Sequence, residues 1–493
     1  MSAAADDRRL WLRALAIIVA LTVLRLVVVF LTDLNLGPDE AQYWAWSKEP
    51  AFGYFSKPPM IAWIIAGTTS VCGDGEGCVR AASPLLYAIA AIFMFEAGRV
   101  LYSARAGFWA ALVFLTLPGI TLSSLLITTD VPLLMFWSVA IFVLGLMLPR
   151  APAEARGLAA LLGLAIGLAF LAKYAGAYFL MGLALAALFD RRVRGHVLGL
   201  NGAIILGVFL ICAAPNAWWN AQHGFATVAH TAYNAGVQNA EHFNLAHLGD
   251  FFGAQFGVFG PLLFAVIIAG LALGLRRRSW PRTESNDVVL ILISLPVLVA
   301  GLGIAFYSKA NANWAAAAYV GLSLVVVAWL LRGGLRVLQL STLLALVVVA
   351  VFSAGAVSPR VVEWLGITNA AKLLRGWNTQ GPAIARAAHE GGFQAILAED
   401  REDMASMLYY TRDSGVPILM WTPEPAHPMD HFQMTRAYAG EPEHVLFVTR
   451  REDSSDVTAR FARAEEIEIL SAIIGKDRKR VFHLIELSGL KAE

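Results

Sequence analysis

Charged residues are scarce in this chain. Asp, Glu, Lys and Arg make up 15% of its 493 residues, whereas a soluble protein of this size carries about 25%. Hydrophobic residues make up 58%, and the mean hydropathy is +0.62. Apolar runs of roughly 17–25 residues, the length that crosses a bilayer as a helix, recur along the chain. The composition therefore excludes an ordinary soluble domain and predicts a polytopic membrane protein.

Cysteine is nearly absent as well. Three cysteines cannot build a disulfide framework. Cys212 lies in an apolar run and is expected in the core. Cys72 and Cys78 lie in one loop, where they either pair, if that loop faces an oxidising compartment, or remain free thiols.

The first apolar run, Ala14 to Leu31, lacks a small-residue cleavage site and is longer than the core of a signal peptide. We therefore expect an uncleaved first helix. The sequence predicts eleven spans: 14–32, 80–98, 106–122, 131–148, 157–172, 174–189, 197–215, 251–275, 288–306, 315–331 and 337–356. Met60 to Val71 is apolar but too short to span, which favours a helix lying at the interface.

Basic residues divide the connecting loops into two sets. One set holds sixteen arginines: Arg8, Arg9, Arg13, Arg99, Arg105, Arg150, Arg156, Arg191, Arg192, Arg194, Arg276, Arg277, Arg278, Arg282, Arg332 and Arg336. The other holds five basic residues: Lys48, Lys57, Arg80, Lys173 and Lys309. Because cytoplasmic loops are enriched in Lys and Arg, the first set is predicted to be cytoplasmic. The amino terminus is then inside, and eleven spans place the carboxyl terminus outside.

The composition changes after the last predicted span. Strand candidates are "FQAILAED", "VPILMW", "HVLFVTR" and "RVFHLIEL", and "REDMASMLYYTRDSG" predicts a helix that a glycine ends. We therefore predict a membrane domain over 1–357, with its first outer loop at 33–79. Residues 358–493 are predicted to form a small extracytoplasmic α/β domain.

Unusual polar residues gather on the arginine-poor side of the predicted topology. They include Asp39, Glu40 and Lys57 in the first outer loop, Asp130 at the mouth of the fourth span, Lys173 and Tyr174, Asn216, and Lys309. The same loops also hold Trp219, Asn220, His223, His230, Asn311, Asn313 and Trp314. Taken singly, each acid could cap a helix or rest in water, and each aromatic could belong to an interfacial belt. Their convergence on one face indicates a site. Arg25 lies inside the first span, where a charge is costly and either functional or snorkelling outward.

Three motifs carry a resemblance to a known family: "DEAQYW", "GYFSKPPMIAW" and "TTDVPLLMFW". They resemble the polyprenyl-phosphate-dependent glycosyltransferases with the C-type membrane fold. These include the dolichyl-phosphate-mannose protein mannosyltransferases and the bacterial aminoarabinose lipid A and lipopolysaccharide core galacturonosyl transferases. The resemblance covers roughly residues 10–330. Its most specific part is the acidic pair after the first span followed by Lys-Pro-Pro.

The resemblance implies an inverting glycosyltransferase that takes a sugar from a polyprenyl phosphate. Asp39 matches the catalytic aspartate, which acts as base on the acceptor hydroxyl, and Asp130 matches a second acid. Lys57 matches the lysine that contacts the carrier phosphate. Further substrate-binding candidates are Glu40, Tyr43, Lys173, Tyr174, Asn216, Lys309 and Arg25. Arg25, Lys173 and Lys309 could hold either phosphate or the carboxylate of a sugar acid.

The resemblance leaves several features open. A glutamate that precedes Lys-Pro-Pro and binds a metal in the aminoarabinose transferases is Ser56 here, so no metal ligand is assigned and a divalent metal stays open. The sugar is open, and so is the acceptor: lipopolysaccharide or lipid A, another glycan or a protein. The expected location is a bacterial inner membrane. The alternative function is a transporter or flippase of lipid-linked substrates, although no internal repeat typical of transporters is present.

Overall fold

The computed structural model of the chain describes residues 3–234, 244–277, 284–366, 368–423 and 427–491. The first helices are α1 Ala3–Leu31, α2 Pro38–Lys48, α3 Met60–Cys72, α4 Glu76–Arg80, α5 Ala82–Leu101, α6 Ala104–Thr116, α7 Pro118–Ser123, α8 Asp130–Met147, α9 Arg156–Ala172, α10 Tyr178–Phe189, α11 Arg191–Val197 and α12 Leu200–Gln222. The next are α13 Ala226–Asn234, α14 Leu245–Phe259, α15 Pro261–Arg277, α16 Ser285–Tyr307, α17 Ala316–Gly333 and α18 Leu335–Val357. The last are α19 Pro359–Trp364, α20 Trp377–Glu390, α21 Arg401–Tyr410, α22 His431–Thr435 and α23 Ser455–Thr458.

The helical segments confirm a polytopic membrane fold. Within the described ranges, eight helices are long and apolar enough to cross a membrane, or nine if the bent pair α14 and α15 forms one span. The predicted spans 106–122 and 174–189 coincide with shorter apolar helices, Ala104–Thr116 and Tyr174–Phe189. The number of eleven spans therefore stays a prediction. The short helix expected after Lys-Pro-Pro is present as α3.

The predicted span 251–275 is not one straight helix. The structure breaks it between α14 and α15, whose axes differ by 119°. Gly260 at the break has a φ of +93°, a conformation that residues with a β-carbon rarely adopt. Pro261 follows at the first position of α15, where its missing N–H leaves no helical bond unmade. The span 251–275 therefore stays a prediction, and the structure adds that this Gly-Pro pair ends one helix and starts the next.

The chain divides into two compact units. The membrane unit comprises Met1–Phe30, Lys57–Ile61 and Arg80–Ser353. The α/β unit comprises Leu31–Ser56, Ala62–Val79 and Ala354–Glu493. Most of the first outer loop therefore packs with the carboxyl-terminal region of the sequence. The domain limits drawn at 33–79 and 357 stay predictions.

A five-stranded sheet forms the centre of the α/β unit. Its strands are β1 Ala395–Ala398, β2 Ile418–Met420, β3 His444–Thr449, β4 Phe461–Gly475 and β5 Arg478–Leu490, in the order β2-β1-β3-β5-β4. β2 and β3 flank β1 in parallel, and β5 runs antiparallel to both β3 and β4. Apolar side chains of the central strands form the core, among them Leu397, Phe447 and Leu487. The predicted small α/β domain is confirmed, with β4 as an addition.

Candidate active site

Asp130 is held by two partners within the membrane unit. It is the first residue of α8 and is 5% exposed. Lys173 Nζ donates to its Oδ1 at 2.7 Å, and Asn313 Nδ2 donates to its Oδ2 at 2.6 Å. Lys173 follows α9, and Asn313 lies in the turn before α17. Both carboxylate oxygens are thus occupied by donors from the ends of two other helices, which satisfies a buried charge.

A cavity of about 390 Å³ opens beside Asp130 in the same unit. The polar side chains in its wall are Asp130, Asn311, Asn313, Tyr87, Tyr319, Ser123 and Thr128. The Tyr87 hydroxyl donates to Ser123 Oγ at 2.8 Å, and Ser123 Oγ lies 3.4 Å from Thr128 Oγ1. The remaining wall is apolar and includes Leu117, Ile120, Leu122, Leu126, Leu134, Val258 and Val320. A pocket with one polar side and apolar walls suits an amphiphilic ligand better than a soluble one.

Arg25 is enclosed in the membrane unit, with 1% of its surface exposed. Its Nη2 donates to the Leu115 carbonyl oxygen at 2.5 Å, while Nε and Nη1 have no hydrogen-bond partner among the residues that the structure describes. Arg25 interacts electrostatically with Tyr87, which lines the cavity. A buried charge with unsatisfied donors is costly. Arg25 does not snorkel to the interface, and its charge lies behind the polar wall of the cavity.

Tyr174 and Asn216 are brought together as members of one hydrogen-bonded group. The Tyr174 hydroxyl donates to Asn216 Oδ1 at 2.9 Å. Asn220 Nδ2 donates to the Tyr174 hydroxyl at 3.2 Å and to the Asn216 carbonyl oxygen at 3.0 Å. Asn216 follows Pro215 inside α12. Thr227 also hydrogen-bonds to the Tyr174 hydroxyl, and neither Thr227 nor Asn220 was among the substrate-binding residues assigned from the sequence.

The two other lysines of the membrane unit differ in their surroundings. Lys57 is half-buried directly before Pro58 and Pro59. Lys309 is exposed, and it forms no hydrogen bond or ion pair within the described ranges. The structure therefore groups Lys173, but not Lys309, with Asp130.

In the α/β unit, α2 carries Asp39, Glu40 and Tyr43. Pro38 occupies its first position, and the N–H of the N-cap residue Gly37 donates to Glu40 Oε2 at 2.8 Å, which is the glutamate half of a capping box. Glu40 is 4% exposed and Tyr43 4% exposed. The Asp39 side chain, by contrast, is 66% exposed. Of the acidic pair, one carboxylate thus caps the helix and the other is presented at the surface of the unit.

Arg401 contacts the exposed carboxylate. Its Nη1 lies 3.2 Å from Asp39 Oδ1 and also donates to Gln42 Oε1. Arg401 is the first residue of α21, whose N-cap Asp400 accepts hydrogen bonds from the backbone N–H groups of Glu402 and Asp403. Asp39 Oδ2 has no hydrogen-bond partner in the described part of the chain. One carboxylate oxygen of Asp39 is therefore held by Arg401, and the other can accept a hydrogen bond from a ligand.

Residues just before α2 are joined to helices of the carboxyl-terminal region. Asn35 Oδ1 accepts from the Trp377 backbone N–H at 2.9 Å at the start of α20, and the Asn35 N–H donates to the Leu374 carbonyl oxygen at 2.9 Å. The Leu36 N–H donates to the Tyr410 hydroxyl at 2.6 Å. These bonds fix the entry of the chain into α2.

A disulfide between Cys72 and Cys78 closes a short loop in the same unit. Within it, Asp74 Oδ1 accepts from Trp44 Nε1 at 2.8 Å and from Lys48 Nζ at 2.5 Å. Partial burial opposes ionisation of Asp74, but the hydrogen bonds from Lys48 and Trp44 outweigh it and lower its pKa. The disulfide loop thus binds the second half of α2 as Asn35 and Leu36 bind its beginning.

The residues at the Lys-Pro-Pro motif do not fit a resident metal ion. Ser56, a weak neutral ligand, stands where a carboxylate would be needed. Across the described ranges, no group of three or more His, Cys, Asp or Glu side chains is arranged to hold a metal.

The fold matches that of a solved membrane enzyme. The structure of ArnT from Cupriavidus metallidurans bound to undecaprenyl phosphate superimposes with a TM-score of 0.66 and 17% identical residues, covering 96% of this chain and 97% of that one. The apo form gives a TM-score of 0.62 with 98% of each chain covered. At this level of identity the match shows the fold, which is the predicted C-type glycosyltransferase fold.

Sequence relatives define the family. The family described as dolichyl-phosphate-mannose-protein mannosyltransferase matches residues 56–219. The lipid A galacturonosyltransferase RgtD of Rhizobium johnstonii is 32% identical over 419 residues, which are 83% of this chain and 85% of that protein. The chain belongs to the family of membrane glycosyltransferases that includes RgtD. The resemblance read from the three motifs is confirmed, and glycosyltransferase rather than transporter is the class that the relatives support.

Proposed function

We propose that this glycosyltransferase moves galacturonic acid from a polyprenyl phosphate to lipid A on the periplasmic side of a bacterial inner membrane. The observation that carries the sugar and the acceptor is the 32% identity to lipid A galacturonosyltransferase RgtD over 83% of the chain. The polyprenyl carrier rests on the shared motifs and on the fold, which in ArnT has been solved with undecaprenyl phosphate. The cavity of the membrane unit, apolar with one polar side, agrees with such a donor.

Asp39 is the proposed general base. A base needs an oxygen that a hydroxyl can approach within hydrogen-bond distance, and Asp39 Oδ2 is such an oxygen on a side chain that is 66% exposed. Asp130 lacks this property because both of its oxygens accept hydrogen bonds and its side chain is 7% exposed. Asp130 is therefore proposed to pair with Lys173 and to hold Asn313 at the cavity wall rather than to take a proton.

The proposed reaction is a single in-line displacement. Asp39 removes the proton of an acceptor hydroxyl while that oxygen forms a bond to the anomeric carbon. The bond between the anomeric carbon and the phosphate oxygen breaks on the opposite face, so the anomeric configuration inverts. The carrier phosphate leaves with the electron pair as an anion. Stabilising that anion requires positive charge rather than a proton donor.

Two cations of the membrane unit are proposed to stabilise the anionic groups of the donor. Lys57 is assigned the carrier phosphate by its match to the family motif. Arg25 is 1% exposed and interacts with Tyr87 in the cavity wall, so its positive charge is proposed to act on the donor anion through the field at that wall rather than by direct contact. Glu40, Tyr43, Tyr174, Asn216 and Lys309 remain proposed substrate-binding residues.

A direct test uses the full chain reconstituted in lipid nanodiscs. Synthetic polyprenyl phosphate donors carrying galacturonic acid, galactose or aminoarabinose are supplied separately with purified lipid A. Mass spectrometry is expected to find lipid A extended by one hexuronic acid with the first donor alone. Transfer of galactose or aminoarabinose at equal rate would remove the sugar assignment, and absence of any transfer would remove the acceptor.

A further inference from the structure

We propose that Arg401 is a positioning residue for Asp39, so that the carboxyl-terminal α/β region forms part of the catalytic machinery. The proposal rests on the role of Asp39 as base given above. All three residues that carry it, Asp39, Gln42 and Arg401, belong to the α/β unit. Arg401 follows Asp39 by 362 residues in the sequence.

The guanidinium of Arg401 spans one turn of α2. Asp39 and Gln42 are three residues apart and lie on the same face of that helix. Arg401 Nη1 donates to an oxygen of each, at 3.2 Å for Asp39 Oδ1. Gln42 is 2% exposed and so provides a fixed acceptor. The position of Arg401 relative to α2 is thus set by Gln42, and Asp39 is oriented against it.

Arg401 is itself placed by the fold of its own region. It follows strand β1 at the start of α21, whose N-cap Asp400 accepts from the Glu402 N–H at 2.8 Å and the Asp403 N–H at 3.0 Å. Its Nη2 lies 3.6 Å from Glu402 Oε1. The Arg401 side chain is 32% exposed. The capped first turn of α21 therefore places the guanidinium next to α2, and no long loop is involved.

The contact with Asp39 is too exposed to serve mainly for stability. Ion pairs between exposed side chains contribute about 0–1 kcal/mol, and the Asp39 side chain is 66% exposed. The effect of the contact on geometry is larger: with Oδ1 bonded to Arg401, rotation of the carboxylate is restricted, while Oδ2 makes no hydrogen bond within the described ranges. Loss of this restraint leaves the base present but poorly aimed, and a misplacement of about 1 Å can cost on the order of 10²-fold in rate.

Replacement of Arg401 by alanine in the full chain tests the proposal. With the galacturonosyl donor, kcat is expected to fall about 10- to 100-fold while KM for donor and acceptor stays within about 3-fold. R401K, which keeps the charge but lacks the planar fork, is expected to recover part of the loss. In an Asp39→Asn background, R401A is expected to lower the residual rate no further, because the group that it positions is gone.

Arg436 offers a matched control. Its Nη2 lies 2.5 Å from Glu49 Oε1, directly after α2, with side-chain exposures of 36% and 61%. This pair also joins the carboxyl-terminal region to α2, but at the end remote from Asp39. If Arg401 acts only by fastening α2, R436A will lower kcat as much as R401A does, and the proposal is overturned. An increase in kcat with R401A would overturn it too, since the contact would then inhibit.

The activities of D39N and R401A distinguish failure of the base assignment from failure of the positioning role. If D39N retains wild-type activity, Asp39 is not the base, whatever R401A does. If D39N is inactive and R401A has wild-type kcat, the base assignment stands and the positioning role of Arg401 is rejected. Thermal unfolding of each purified variant separates both outcomes from loss of the folded state.

Discussion

Lys173 Nζ lies 2.7 Å from Asp130 Oδ1, and together they form an ion pair whose side chains are 20% and 7% exposed. The pair joins the end of α9 to the start of α8. Removal of one partner from a buried pair leaves an uncompensated charge, which costs about 3–5 kcal/mol, whereas removal of both costs far less. The two residues are thus expected to stabilise the folded protein only when both are present.

Thermal unfolding of the detergent-solubilised protein checks this expectation. Lys173→Met should lower the Tm clearly, because Asp130 would keep its charge without a cation. Adding Asp130→Asn to the same chain should restore much of the Tm, since the amide can still accept from Asn313. A double variant less stable than K173M would contradict the pairing. Activity is expected to be low in both variants.

Asp39→Asn is expected to separate activity from stability. The side chain is 66% exposed, so the substitution should change the free energy of unfolding by no more than about 0.5 kcal/mol. Loss of a general base lowers a rate by about 10²- to 10⁴-fold. Transfer to lipid A, followed by mass spectrometry, gives the rate. Asp413→Asn, at an exposed position in the same unit, is the control that should retain full activity, and D39N activity within a few-fold of wild type would exclude the base role.

Lys57→Ala is expected to weaken use of the lipid donor. A charge-assisted hydrogen bond contributes about 1.5–3 kcal/mol, which corresponds to about a 10- to 150-fold loss in kcat/KM for the donor. Titration of the polyprenyl-linked donor at saturating lipid A measures it. Lys476→Ala in the exposed turn between β4 and β5 should leave donor use unchanged. An unaltered donor dependence in K57A would show that this lysine does not bind the carrier phosphate.

The disulfide loop should contribute to the stability of α2 and hence to activity. In the chain-entropy description, closing a loop of this length stabilises the folded state by about 2 kcal/mol. The double variant Cys72→Ser, Cys78→Ser should therefore unfold at a lower temperature than wild type under oxidising conditions. The difference should vanish when the wild-type protein is reduced. Equal Tm values of the oxidised proteins would mean that Asp74 holds Trp44 and Lys48 without help from the disulfide.

The sequence predicted those helices and strands that a short stretch of residues is enough to indicate. Apolar runs gave the membrane helices, and β1, β2, β3 and β5 were predicted from short apolar segments. β4 was missed because it is an edge strand whose first half is mostly exposed and charged, with Arg463, Glu465 and Glu466 at its surface, so no apolar run marks where it begins. The break at Gly260 was missed because hydropathy continues through it.

The site shows the same division between local and distant information. The motifs singled out Asp39 and Asp130, but they could not show that Glu40 caps α2 or that both oxygens of Asp130 are occupied. Arg401 carried no signal, because a partner 362 residues away is set by tertiary packing. The segment "REDMASMLYYTRDSG" did predict a helix that begins at Arg401, but it could not predict what its first residue contacts.

The α/β unit makes a prediction about membrane topology that does not depend on the exact number of spans. Residues 31–56 and 62–79 fold into one compact unit with residues 354–493, so all of them must lie on one side of the membrane. An even number of spans must then separate residues 79 and 354; the eleven predicted spans place ten there. The unit contains the Cys72–Cys78 disulfide, and disulfides persist in oxidising compartments such as the bacterial periplasm. Together with sixteen arginines in one set of loops against five basic residues in the other, this favours a cytoplasmic amino terminus and a periplasmic carboxyl terminus.

Alkaline phosphatase, which needs disulfides to fold, should be active when fused after residue 75 or after residue 493. A fluorescent protein that matures only in the cytoplasm should be dark at both positions. Opposite signals at the two positions would contradict the single unit, whereas cytoplasmic signals at both would reverse the orientation and leave Asp39 on the wrong side for a periplasmic acceptor.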